Sequence, residues 1–350
     1  MDYPVAGYVS TFLNWVIDIE DAEASMRVSD RLLKCVVFIG VERNNEFVPL
    51  GTGFIVALPE GNLGFQYIVT ALHVIAGVKE TILVRLNKSS GKAANYTLPR
   101  GWYYHPDPLR LIDVAVAPVA LQSDLFDFAH VHVDHFCDDT ALSERDIGIG
   151  EELFYPGLFM AHRGVGRNLP VMRFGTLAAM PNEPVRTRSG PIKAYLMEGR
   201  SIGGHSGSPV FINFLAPRTY YADRVVSLPH PTKTQGYRLL GLIRGYLRAK
   251  DSGEYTTEQP KIEEDLWVNS GISTIIPAQE IIETIMQDEL KDQRAADAKR
   301  HNDQLADVPT SARSTGDSET SDNDANPNHL KDFMRLVDVA ARKRPQGDQT

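Results

Sequence analysis

Three residues of this chain stand in settings that could do chemistry: a serine, a histidine and an aspartate. Ser206 lies in Ser201-Ile202-Gly203-Gly204-His205-Ser206-Gly207-Ser208-Pro209, between close-spaced glycines and just ahead of an apolar run. A serine hydroxyl is a weak nucleophile by itself. It needs a base within hydrogen-bond reach, a group that orients the base, and amide donors aimed at a developing oxyanion. His73 follows an apolar run in Val69-Thr70-Ala71-Leu72-His73-Val74-Ile75, and Asp113 opens another in Leu111-Ile112-Asp113-Val114-Ala115-Val116. A carboxylate at the mouth of a buried strand is costly unless it accepts hydrogen bonds, and a histidine ring donating to it meets that need. Each residue alone is a weak signal, since a histidine beside an apolar run is more often packed than reactive. The ordered set of His73, Asp113 and Ser206 suits acyl transfer.

The elements that must position these residues read as short strands broken by turns. Apolar runs begin at Cys35, Phe47, Phe65, Thr81 and Val114, and a second set begins at Leu153, Met172, Ala194, Pro209, Leu239 and Ile272. Two successive sets of about six strands predict an all-β chain of two antiparallel six-stranded β-barrels, over 35–125 and 145–286. Proline near the start, early acids and apolar spacing predict a helix over Pro277–Met286, continuing through 287–300. The extension 1–34 shows helical spacing at Phe12, Trp15, Val16 and Ile19. Residues 301–328 hold almost nothing to bury and read as a disordered linker. Residues 329–350 read as a short amphipathic helix and basic tail, a candidate for recruiting a protein partner.

Composition narrows the class. The chain has 350 residues, 43% of them hydrophobic and 23% charged, which is enough for a sizeable core. A net charge of −9 argues against a general nucleic-acid binder. Two cysteines, Cys35 and Cys137, argue against a disulfide scaffold and fit a reducing compartment. The N-terminus lacks the basic and apolar pattern of a signal peptide, and no run of about 18 apolar residues suggests a membrane span. The expectation is a soluble cytoplasmic protein without a membrane partner.

Taken together, the three segments resemble the trypsin-like, chymotrypsin-fold serine peptidases of the PA clan. Thr70-Ala71-Leu72-His73 matches the family's T-A-x-H motif. His105-Pro106 ahead of Asp113-Val114-Ala115-Val116 is similar to its aspartate motif, and Gly204-His205-Ser206-Gly207-Ser208-Pro209 to its G-x-S-G-[GS]-P motif. The strand Gly51-Thr52-Gly53-Phe54 and the Ser-Gly-Ser-Pro variant are nearest to bacterial Deg-type and glutamyl endopeptidases. The resemblance covers roughly 35–286. It implies a serine endopeptidase with Ser206 as nucleophile, His73 as base and Asp113 as orienting carboxylate, and an oxyanion hole from the amides of Gly204 and Ser206. It needs no metal and no other cofactor, and its substrate is a polypeptide. The substrate strand would be Leu240–Gly245, including Ile243 and Arg244, where a peptide adds as a further strand. Gly245 and Gly271 would wall the specificity pocket, with Arg200 and Ser201 at its base.

The match departs in places. His205 stands where zymogen-type relatives carry an aspartate, which argues against activation by proteolysis. Ile243 stands where glutamyl endopeptidases place a histidine, so their acidic preference does not carry over by motif. Arg200 and Arg244 offer positive charge, while the insertion 247–270 is acidic. A second insertion, 215–236, reads as a surface excursion. His130, His132, His135 and Cys137 match no zinc spacing. The contrasting reading is a binding module on the same fold that does not cleave and recruits a partner through its tail.

Overall fold

A computed structural model describes residues 10–11, 28–144, 147–187, 190–199, 203–213, 236–249, 255–256 and 268–306. The predicted helices before residue 28, most of both insertions, Arg200 and Ser201, the linker beyond residue 306 and the tail helix lie outside the described residues. Residues 1–301 form one compact unit and 302–350 another, of which only 302–306 are described.

The first half contributes β1 (Ser10–Thr11), β2 (Val36–Arg43), β3 (Glu46–Glu60), β4 (Leu63–Thr70), β5 (Leu83–Asn87), β6 (Ala93–Thr97), β7 (Tyr103–Tyr104), β8 (Ala115–Val119) and β9 (Val131–His132). They pair in the order β6-β5-β2-β3-β4-β8-β7, with β1 against β4 and β9 parallel to β3. β3 is buried without a break over 51–58, where its apolar and small residues are continuous rather than alternating. β6 was not foreseen. Its sequence, Ala-Ala-Asn-Tyr-Thr, offers little apolar pattern, and it is partly exposed at the edge of the sheet.

The second half holds β10 (Glu152–Gly157), β11 (Val171–Ala179), β12 (Val185–Thr187), β13 (Gly190–Ile192), β14 (Tyr195–Glu198), β15 (Pro209–Asn213), β16 (Tyr237–Ala249), β17 (Tyr255–Thr256) and β18 (Val268–Pro277). Strands β15-β10-β11-β14-β18-β16 pair in that order, and β16 pairs back to β15. That return closes a six-stranded antiparallel barrel, which leaves those strands without a free edge in the ring. Strands β12 and β13 form a separate hairpin. The fold is therefore mostly β, with one closed barrel, one open sheet and few helices.

The helices are α1 (Leu72–Ile75), α2 (Asp139–Glu144), α3 (Ala278–Ile285) and α4 (Asp288–Ala306). The predicted single helix after Pro277 is two, and the second runs on through 301–306, which the sequence had assigned to the linker. At the break, buried Arg294 of α4 donates to the Ile285 carbonyl at 2.9 Å, so it satisfies one open carbonyl at the end of α3. It also donates to the Tyr67 hydroxyl at 3.0 Å and to Glu60 at 2.5 Å. Helix α4 is rich in charge, and these polar ties fix it together with Leu290, which is fully buried in the core.

One apolar core runs from the first sheet into the barrel through Phe54, Val69, Phe154, Phe211 and Leu242, and a second fills the barrel around Tyr155, Met197 and Ile243. Cys35 and Cys137 are both buried and in no disulfide, and burial pushes the Cys35 thiol up to about 12, which leaves it unreactive. Among the described residues no helix is long and apolar enough to cross a membrane.

Candidate active site

Antiparallel pairing brings the histidine and the aspartate together. Strand β4 ends at Thr70 opposite Ala115, the first residue of β8. The chain leaving β4 turns at once into α1, which carries His73, while Asp113 lies two residues ahead of β8 on the same end. Both carboxylate oxygens of Asp113 accept from this histidine. The His73 main-chain N–H donates to Oδ1 at 2.8 Å, and the ring Nδ1 lies 2.7 Å from Oδ2. With Asp113 ionised, that contact puts the proton on Nδ1 and leaves the Nε2 lone pair free. The ring stays accessible, with the His73 side chain 46% exposed and the Asp113 side chain 9% exposed.

The charge of Asp113 is set by competing effects. Burial pushes its carboxyl up, but the His73 hydrogen bonds and the Arg244 guanidinium outweigh burial and hold it below the usual carboxylate range. Arg244 Nε stands 3.3 Å from Asp113 Oδ2.

The loop bearing Asp113 is anchored from the far side. Arg110 donates to Glu280 at 2.5 Å and to Glu283 at 2.8 Å, both on α3. His105 lies 3.1 Å from Glu283. Among the described residues this is the one grouping of histidine and carboxylates with ligand atoms close enough to share a cation, and the Arg110 guanidinium lies against both carboxylates. His105 Nδ1 accepts from the Asp107 N–H, which places its remaining proton toward Glu283. The cluster therefore ties β7, the Asp113 loop and α3 together as a polar anchor.

Ser206 sits in the turn between β14 and β15. The turn depends on glycine at two points. Gly204 has φ +102°, and Gly207 has φ +86°, where a Cβ would stand 2.0 Å from the Thr52 carbonyl. Thr52 of β3 grips this turn from the first sheet. Its N–H donates to the Ser206 carbonyl at 2.9 Å, and its hydroxyl donates to the Gly204 carbonyl at 2.6 Å. The same hydroxyl accepts the Leu158 N–H at 2.9 Å. Fixing the Gly204 carbonyl directs the turn. The backbone N–H groups of Gly204 and Ser206 take no partner among the described residues. Two open amides flanking a serine are the donor arrangement an oxyanion requires.

The Ser206 hydroxyl donates to the Arg244 carbonyl of β16 at 3.1 Å. It makes no hydrogen bond to His73 among the described residues. Strand β16 is locked to the serine turn by the Gly207 N–H to the Ile243 carbonyl and the Ile243 N–H to the Ser208 carbonyl, each 2.8 Å. Strand β15 pairs with β16 only as far as Leu242, and β17 takes up the same edge at Arg248 and Ala249, which leaves Arg244 and Gly245 between the two neighbouring strands. An extended peptide can add there.

The other predicted site residues fall as follows. Ile243 is buried in the barrel core and presents no polar group. Gly245 and Gly271 each have no atom of the described residues within 4 Å of where a Cβ would be. Arg200 and Ser201 lie outside the described residues. His205 is fully buried with its ring edge-on to Tyr155. Thr52 and the Arg244 contact to Asp113 were not foreseen. Thr52 bonds residues 152 and 106 positions away, and no local pattern carries such a signal.

Thr52→Val keeps the shape of the side chain and removes both hydroxyl bonds. It leaves the Gly204 carbonyl and the Leu158 N–H without that partner, and we expect a loss of about 2 kcal/mol in denaturant unfolding. An unchanged midpoint would mean that the turn holds itself.

No protein-family model matches the chain, and no curated protein matches it. Among solved structures it is similar to the apo crystal structure of the MamO protease domain from Magnetospirillum magneticum. The two share 17% identity with a TM-score of 0.45, over 74% of this chain and 99% of that chain.

Proposed function

We propose that this chain is a serine endopeptidase of the trypsin-like kind, with the first sheet acting as a second, open barrel of a chymotrypsin-like fold. The observation that carries the reading is the doubly bonded His73–Asp113 pair, set beside a serine turn whose amides at Gly204 and Ser206 are open.

In this reading a peptide pairs with β16 beyond Leu242 and brings its scissile carbonyl over Ser206. Ser206 Oγ forms a bond to the carbonyl carbon as its proton passes to His73 Nε2. The carbonyl oxygen becomes an oxyanion held by the N–H groups of Gly204 and Ser206. Collapse breaks the C–N bond, and the leaving amine takes the proton from His73. Water then attacks the acyl carbon and gives its proton to the same nitrogen; collapse breaks the bond from that carbon to Ser206 Oγ, which takes the proton back from Nε2 as the acid leaves. Asp113 keeps its proton count throughout; it holds the tautomer and stabilises the imidazolium. Gly245 and Gly271, which carry no side chain, fit the wall of a pocket for a P1 side chain. No metal or organic cofactor takes part in these steps.

A second reading has a specific observation behind it. The Ser206 hydroxyl is engaged by the Arg244 carbonyl instead of His73, as in a binding module on this fold that does not cleave. Hydrogen bonds to a nucleophile often tighten only when substrate is present, and a peptide N–H donating to the Arg244 carbonyl would compete with the Ser206 hydroxyl for it. We therefore favour hydrolysis. A mixed peptide library should be cut by the wild type and left whole by Ser206→Ala. Equal cleavage by both would place the nucleophile elsewhere, and cleavage by neither would favour the binding module.

A further inference from the structure

We propose that Arg244 is a positioning residue that keeps the His73–Asp113 pair in its base-competent form at mildly acid pH, rather than a reader of substrate charge. The inference rests on the hydrolytic reading of the site. Three observations lead to it.

The backbone aims the side chain. The register between β16 and β18 shifts between Ile243 and Gly245, so Arg244 is the extra residue of a bulge. A bulge redirects one side chain out of the strand's alternation. Here the redirected guanidinium lies against Asp113, 3.3 Å from Oδ2, with its side chain only 13% exposed.

The contact is one of charge more than of hydrogen bonding. Arg244 Nε is buried and has no hydrogen-bond partner among the described residues, while His73 Nδ1 sits at 2.7 Å from the same oxygen. The histidine therefore takes the directional bond, and the arginine supplies a fixed positive charge. An arginine stays charged over the whole working range.

The surroundings offer little other charge. The charged or titratable groups that bear on Asp113 are His73 from α1 and Arg244 from β16. A fixed cation at this distance disfavours adding a proton to either member of the pair. Its removal makes protonation of either one easier, so the sign of the effect is the same for both. With Arg244 present, Asp113 stays ionised to lower pH and keeps the ring proton on Nδ1, which leaves Nε2 able to accept the serine proton. The same contact turns the guanidinium toward Asp113 and away from Gly245.

The test is the pH dependence of acylation by a small fluorophosphonate that carries no peptide and so cannot be read by a substrate pocket. In Arg244→Met the acid limb should move up by about one pH unit. Arg244→Lys should restore most of the wild-type limb, because it returns the charge. An acid limb that stays in place in Arg244→Met overturns the proposal. Folding is checked separately, by requiring each variant to unfold at the wild-type denaturant midpoint. A wild type that the probe never labels would instead refute the hydrolytic reading, and with it this role. The contact alone can still be read from the Arg244 Nε–H resonance, which should shift in Asp113→Asn.

Discussion

Ser206→Ala is expected to lower kcat by about 10⁶-fold while leaving the fold intact. The loss is large because no neighbouring hydroxyl can substitute. Ser208 is fully buried, and the Thr52 hydroxyl is committed to the Gly204 carbonyl. The fold survives because the lost oxygen makes one hydrogen bond, to the Arg244 carbonyl, worth about 1 kcal/mol. The contacts that hold the turn all use the backbone of Ser206 and its neighbours: the Thr52 N–H to the Ser206 carbonyl and the Gly207 N–H to the Ile243 carbonyl. Single-turnover rates and denaturant unfolding on the same protein separate chemistry from stability. A variant that kept more than about one-hundredth of the wild-type rate would contradict the assignment.

Asp113→Asn is the second large effect, expected at about 10⁴-fold in kcat, with the magnitude taken from the general behaviour of such triads. The cause is specific to this geometry. Both aspartate oxygens accept from His73, one from its main-chain N–H and one from its ring Nδ1. Asparagine has only one acceptor oxygen. If that oxygen keeps the main-chain N–H, the amide NH₂ faces the ring and makes Nδ1 an acceptor. The imidazole proton then moves to Nε2, the atom that must receive the serine proton. If the amide turns the other way, two N–H donors face each other at the start of α1. Either arrangement disables the base, and Arg244 loses the anion beside it. The alkaline plateau of kcat/KM should fall, and ¹⁵N spectra of the ring should show the proton on Nε2. A plateau within tenfold of wild type would show that Asp113 does not set the tautomer.

Much of this arrangement was legible in the sequence. His73, Asp113 and Ser206 each stand at a strand end beside residues that leave little choice of local structure. Gly204 and Gly207 adopt positive φ where a side chain would meet Leu158 or Thr52. Alternating strands and turns pointed to paired β structure, and one closed barrel is present. What could not be read depends on contacts far apart in the chain. Thr52 sits in an apolar strand like its neighbours, and its clamp on the serine turn exists only after the two sheets meet. His105 stood out as part of a motif ahead of Asp113, yet its tie to Glu283 spans 178 residues. Arg244 read as a substrate residue because its neighbours in β16 do. The bulge that turns it toward Asp113 is a register shift, and register shifts leave little trace in composition. The polar edge strand β6 lacked the apolar alternation that marks a strand.

The central claim is that Ser206 is an activated nucleophile, and covalent capture tests it most directly. Wild type should react with a fluorophosphonate at one equivalent per chain, with the added mass on the peptide bearing Ser206 by tandem mass spectrometry. His73→Ala and Ser206→Ala should remain unmodified under the same conditions. Absence of labelling in the wild type across the pH range, or labelling that persists in Ser206→Ala, would contradict the account.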